Sequence, residues 1–287
     1  MPSMTASTAA TVLMLGSAFL HAVVNALVKI SADGLLTRGY MNAVACLVAL
    51  PALLFVGLPS PDQWRILAIS LPVHALYPFV LVAAYRHGDL SATYPVSRGV
   101  VPLAAAAISV AIAGEVVSPA SLLFLAIASA GIAAFACHAG GLTRGTHLRG
   151  IGWALLTGVV VAVYTVIDAI GLRAGPSVAT YIVWLLLLDG CCVALCVAVA
   201  RRGHVRSFVA AHWPRATLAG VLGVATYVLA LVAFSMEGVA RIAALRETSV
   251  VFAAAIGSLV LGERFGGMRI VATLLVLAGA VGVRVVG

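Results

Sequence analysis

Ten apolar stretches follow one another along 287 residues, with only short polar breaks between them. Each is close to the roughly 20 residues that cross a bilayer as a helix. The runs cover about 9–30, 39–57, 63–85, 93–113, 119–138, 149–171, 178–200, 216–236, 241–261 and 268–286. In lipid every backbone N–H and C=O must be paired within its own segment, so runs of this length become helices. Strands are excluded because no run alternates apolar with polar residues. Only 9% of the residues are charged and 63% are hydrophobic, too few charges to cover a soluble surface, which needs about a quarter. The expected class is an all-α integral membrane protein, multi-pass in the inner (plasma) membrane.

The chain also repeats itself. RGVVPLAAAAISVAIAGE at Arg98–Glu115 returns as RETSVVFAAAIGSLVLGE at Arg246–Glu263, with both arginines and both glutamates 148 positions apart. Asp89 with Glu237, and Gly131 with Gly279, keep the same offset. Near the first helix the offset is 139, pairing Asn25 with Tyr164 and Lys29 with Asp168. Five spans per copy is an odd number, so the second copy enters the membrane from the opposite side. The expected architecture is ten transmembrane helices as a 5+5 inverted repeat, the plan of many secondary transporters with a site between the halves. The glycine-rich linker Gly140–Gly145 divides the chain into repeats at 1–141 and 142–287.

Loop arginines set an expected orientation. Ten lie after the odd-numbered helices, including Arg201, Arg202, Arg206 and Arg215 in the long loop before the eighth helix. Four lie on the other side, which puts both termini outside the cytoplasm. The net charge of +8 reads as loop charge at an anionic membrane surface, with no nucleic-acid partner expected. The first apolar run lacks the basic start of a cleavable leader and carries His21, Asn25 and Lys29. Cys46, Cys137, Cys191, Cys192 and Cys196 read as buried inert thiols.

A charge at membrane depth costs at least ~2.5–3.5 kcal/mol on insertion scales and therefore needs a partner, a water-filled cavity or a task. Lys29, Arg98, Asp168, Asp189, Arg246 and Glu247 stand in apolar runs. His21, Asn25 and Lys29 at i, i+4 and i+8 make one polar stripe, and Tyr164 with Asp168 makes its counterpart. These stripes read as cavity walls, with Asp168, Glu247 and His21 as candidate proton-coupling groups. The alternative is that Lys29 reaches the interface and Asp168 pairs with it. Arg98 and Arg246 read as lying about one turn inside helix N-termini, where backbone N–H groups and a guanidinium fork suit an anion. The alternative is internal pairing, Arg246 with Glu247 and Arg98 with Asp89. Thr248 and Ser249 add neutral hydrogen bonds, and Tyr85 and Tyr94 could line the same pocket. Glu115 and Glu263 read as structural braces, and His74 and His138 as structural histidines. No nucleotide loop, metal-ligand spacing or nucleophile elbow is present, so no cofactor, metal or catalytic residue is expected.

With these features the chain resembles the drug/metabolite transporter superfamily, EamA type. The resemblance rests on the 5+5 helix plan, the Gly114-Glu115 and Gly262-Glu263 pairs, and the phrases HAVVNALVK, AYRHGDLSATYPVSRG, YTVIDAIGLR and ALRETSVVF. It covers essentially the whole chain. It implies secondary transport, often export, of small metabolites through a central cavity that opens alternately to each face. In relatives that carry sugar phosphates and nucleotide sugars, basic residues early in the ninth helix hold the anionic group, and Arg246 stands in that region. Many members keep both termini in the cytoplasm, the reverse of the arginine count here. The expectation is a non-enzymatic exporter of a small anionic or zwitterionic metabolite, monomeric or homodimeric. The alternative is an integral-membrane enzyme acting on a lipid or polyprenyl substrate.

Overall fold

The computed structural model describes residues 4–29, 31–87, 90–138, 148–261 and 267–286. Among them every regular element is helical. The helices are α1 (Met4–Lys29), α2 (Gly34–Ala52, extended by a 3₁₀ turn at Leu53–Phe55), α3 (Pro61–His87), α4 (Leu90–Ala113), α5 (Pro119–His138) and α6 (Leu148–Arg173). They continue as α7 (Val178–Ala200), α8 (Val205–Met236), α9 (Val239–Arg246), α10 (Ser249–Leu261) and α11 (Gly267–Val286).

Short polar motifs start these helices where the sequence offers them. Asp33 caps α2, its Oδ1 accepting from Leu35 N at 2.9 Å and Leu36 N at 3.0 Å. Ser60 and Gln63 form a reciprocal capping box ahead of α3, each side chain accepting the other's backbone N–H at 3.2 Å, with Pro61 at the first helical position. Gln63 Nε2 then donates to Ser177 O at 3.1 Å. The start of α3 is thereby fixed to the residue that caps α7.

Among the described residues seven helices are long and apolar enough to cross a membrane, and Pro119–Ala134 and Ile270–Val286 are shorter apolar helices. Two expectations are corrected. The expected ninth span is split into α9 and α10, because Glu247 and Thr248 form a turn between them. The long basic loop at 201–215 is also overturned. Only Arg201–His204 lies outside helix, and α8 runs for 32 residues from Val205. Arg206 and Arg215 therefore stand on a helix that carries its charge before its apolar length begins.

The chain is inside-out in polarity, as lipid solvation requires. Leu47, Leu54, Phe55, Leu123, Val116 and Leu195 face outward, while Gln63, Arg98, Asp168, Glu237, Arg246 and Glu247 are buried. Cys191 is exposed as well, a correction to its reading as a buried thiol. Helices meet where small residues let backbones approach, since lipid tails give no hydrophobic drive between them. A Cβ on Gly190 of α7 would lie 2.7 Å from Asn42 O of α2, and one on Gly279 of α11 would lie 2.6 Å from Phe124 O of α5. The principal packed pairs are α5 with α11, α3 with α6, α4 with α6, α2 with α7 and α1 with α8; α1 also packs on α9 and α10.

Candidate functional site

Two groups of buried polar side chains lie among α1, α3, α4, α6, α7, α8 and α9. The first is centred on Asp168 of α6, which is 1% exposed. Its Oδ1 accepts from Ser70 Oγ at 2.6 Å and Tyr181 OH at 3.1 Å. Its Oδ2 accepts from Tyr227 OH at 2.7 Å and lies 2.9 Å from His74 Nε2. Four donors from α3, α7 and α8 thus converge on one carboxylate, filling its lone-pair directions. The His74 ring stacks on Tyr164 at 4.3 Å between centroids, and its Nδ1 lies 3.8 Å from Asp189 Oδ2. Asp189 Oδ1 is buried without a hydrogen-bond partner among the described residues.

The second group surrounds the break between α9 and α10. The tetrad Arg246-Glu247-Thr248-Ser249 interrupts an apolar run, and Thr248 Oγ1 turns back to donate to Leu245 O at 2.7 Å. Backbone bonds tighten there to three-residue spacing, from Glu247 N to Ala244 O at 3.3 Å and from Thr248 N to Leu245 O at 3.2 Å. Short polar side chains compete with the helix ladder in this way, and discontinuous helices at membrane depth are a recurrent way to build a transport site. Glu247 is wholly buried, yet among the described residues neither carboxylate oxygen has a hydrogen-bond partner; Arg246 Nε also lacks one there. Arg98, on α4, donates from Nη2 to His21 Nε2 at 3.0 Å. A guanidinium can only donate, so that ring nitrogen carries its lone pair. Arg38, Arg98 and Arg246 all lie within electrostatic reach of His21 and of Tyr77.

The structure therefore gathers His21, Arg98, Tyr164, Asp168, Arg246, Glu247, Thr248 and Ser249 into the interior, with Asn25 half-buried on the His21 stripe. The side chains of Lys29, Tyr85 and Tyr94 fall outside the described residues, as do Asp89 and Glu263. Asp168 pairs with Ser70, His74, Tyr181 and Tyr227. The placement of the arginines is corrected. Arg246 is in the last turn of α9, just before the start of α10, and Arg98 is the ninth residue of α4. The sequence reading took His74 as a structural histidine and did not place Tyr227 or Arg38 in the site. Ser70, His74 and Tyr77 at i, i+4 and i+7 were the available signal, a polar stripe on α3 like those on α1 and α6.

At one end of the bundle Glu115 binds the start of α9, both carboxylate oxygens accepting from Val239 N at 2.9 and 3.0 Å. Arg173 donates to Glu115 Oε1 at 3.1 Å and to Phe234 O at 2.9 Å. The expected role of Glu115 as a brace is a helix N-cap supplied from α4's end, which answers both the orphan N–H and the dipole. A cavity of about 610 Å³ opens beside it, lined by Glu115, Arg173, Glu237 and Arg241 among others.

Comparison with known proteins bears on this arrangement. No curated protein matches the chain. A crystal structure of a protein 20% identical in sequence covers 96% of this chain and 96% of its own, with a TM-score of 0.76. That likeness establishes a shared fold. The EamA-like transporter family profile matches residues 148–285. With its apolar helices and buried polar interior, the chain is a multi-pass membrane protein whose second half matches the EamA-like transporter family, which belongs to the drug/metabolite transporter superfamily.

Proposed function

We propose that the chain is a secondary exporter of a small anionic or zwitterionic metabolite, with the substrate's anionic group held by Arg246 and Arg98. The observation that carries this reading is the turn at Glu247-Thr248. It sets a buried arginine, with Nε unpartnered, at the junction of two half-helices. A planar guanidinium in such a place suits bidentate binding of a carboxylate or phosphonate. Asn25, Tyr164, Thr248 and Ser249 complete the polar lining, joined by Lys29, Tyr85 and Tyr94 as the sequence suggests.

Transport proceeds by alternating access between inverted five-helix repeats, 1–141 and 142–287. Helix packing supports a correspondence between the two halves. Let α1, α2, α3, α4 and α5 correspond to α6, α7, α8, α9 with α10, and α11. Exchanging the halves then turns α3 on α6 into α8 on α1, α4 on α6 into α9 and α10 on α1, and α2 on α8 into α7 on α3. The pairs α2 on α7 and α5 on α11 map onto themselves. All of these pairs are in contact. The protein sits in the inner membrane with both termini outside the cytoplasm; a C-terminal reporter active only in the cytoplasm would reverse that orientation.

The substrate site is tested by thermal shift of the purified protein with amino acids, organic acids, phosphonates and nucleotides, repeated on Arg246→Ala. At least a tenfold weaker response of the variant to the stabilising anion is expected. An unchanged response removes Arg246 from the site.

A further inference from the structure

We infer that His74 and Asp189 together hold an exchangeable proton, and that Asp168, by engaging Nε2, selects Nδ1 as the ring nitrogen that takes it. The inference deepens the transporter reading and rests on it only for the use to which the proton is put.

The donor set around Asp168 decides its form. Ser70, Tyr181 and Tyr227 each direct a hydroxyl at the carboxylate, and His74 Nε2 lies 2.9 Å from Oδ2. A carboxylate oxygen facing Nε2 requires N–H there. Tyr227 OH, which gives its proton to Asp168, lies 3.4 Å from the same nitrogen and accepts from it. Nε2 is thus a donor in every protonation state, and Nδ1 alone can change. A neutral ring presents a lone pair at Nδ1; adding a proton makes an N–H bond there and a cationic ring.

Nδ1 faces Asp189 Oδ2 at 3.8 Å, beyond hydrogen-bond length but within ion-pair reach. Without the proton, a lone pair meets a partly buried carboxylate whose other oxygen is buried with no partner among the described residues. With it, opposite charges meet and α7 is drawn toward α3. Proton occupancy therefore sets the contact between a helix of the first half and one of the second. Next to Asp189, Gly190 brings the α7 backbone against α2, so a shift of Asp189 is felt at that crossing.

The other groups facing the ring are Tyr164 of α6, stacked on it, Tyr227 of α8, and the Arg246 guanidinium of α9, which acts on it electrostatically. The tyrosines do not change charge near neutral pH, and Arg246 keeps its charge throughout. Asp168 is fully engaged by its four donors. The pair His74–Asp189 is what remains to take up and release a proton.

The test is a ¹⁵N-histidine NMR titration of the full-length protein in lipid nanodiscs across neutral pH, with His74→Gln identifying the ring. Nε2 should stay protonated throughout while Nδ1 gains and loses one proton. In Asp189→Asn the Nδ1 transition should leave the accessible range, and Asp189→Glu should restore it. A transition at unchanged pH in Asp189→Asn, no transition in the parent protein, or no recovery in Asp189→Glu overturns the inference. A normal transition in a protein that responds to no anion keeps the proton site and discards the anion-carrier reading. The opposite pair of results keeps the carrier and discards the proton site.

Discussion

Two polar regions are buried in the same bundle, and they are built in opposite ways. Around Asp168, four donors on α3, α7 and α8 satisfy one carboxylate completely. At the α9–α10 turn, Arg246 and Glu247 are buried too, but the Arg246 Nε and both Glu247 oxygens have no partner among the described residues. A satisfied network fixes helices relative to one another. An unsatisfied one costs stability, and its polar groups remain available for a ligand or for movement. The first region behaves as a keystone, whereas the second carries the proposed binding site on polar atoms without partners among the described residues.

The comparison breaks first at Asp168. Asp168→Leu would leave four buried donors facing hydrocarbon, with an expected loss of about 3–5 kcal/mol, read as the chemical unfolding free energy in detergent. A loss no greater than an ordinary core substitution would remove the keystone description. A smaller effect is expected at Gly171, where any Cβ would fall on the Tyr181 ring that donates to Asp168. Gly171→Ala should cost about 1–3 kcal/mol by the same measurement.

The second region should respond in the opposite sense. Glu247→Gln deletes a buried charge without breaking any hydrogen bond seen here, so stability should hold or rise by up to about 1 kcal/mol. Because it also removes the carboxylate beside Arg246, the stabilising anion should bind more tightly in the thermal-shift screen. A clear loss of stability would mean that Glu247 has a structural partner, and the contrast would fail. The smallest effect sets the baseline. Arg65→Ala removes an ion pair with Asp62 at 2.8 Å whose side chains are 77% and 66% exposed, and it should change unfolding by less than about 0.5 kcal/mol.

The amino-acid sequence by itself determined the solvent, the secondary structure and much of the chain's plan. Length and apolarity of the runs require helices in lipid, because backbone groups there have no other partners. The spacing of His21 with Asn25, and of Tyr164 with Asp168, placed polar stripes on α1 and α6 because a helix returns to one face every three or four residues. The resemblance to EamA-type transporters was carried by motifs and spacing, and the family match over 148–285 agrees with it.

Only the tertiary structure decided which buried charges are paired. His74 reads as a structural histidine in isolation, because its partners Asp168 and Asp189 lie 94 and 115 positions further along the chain. Glu115 caps α9 from 124 residues away. The turn at Glu247-Thr248 was also invisible to hydropathy, since four polar residues in a long apolar run still average to a span. What separates a satisfied carboxylate from an orphaned one is the direction of donors on other helices. Periodicity along one helix does not encode that; it is set when the helices pack.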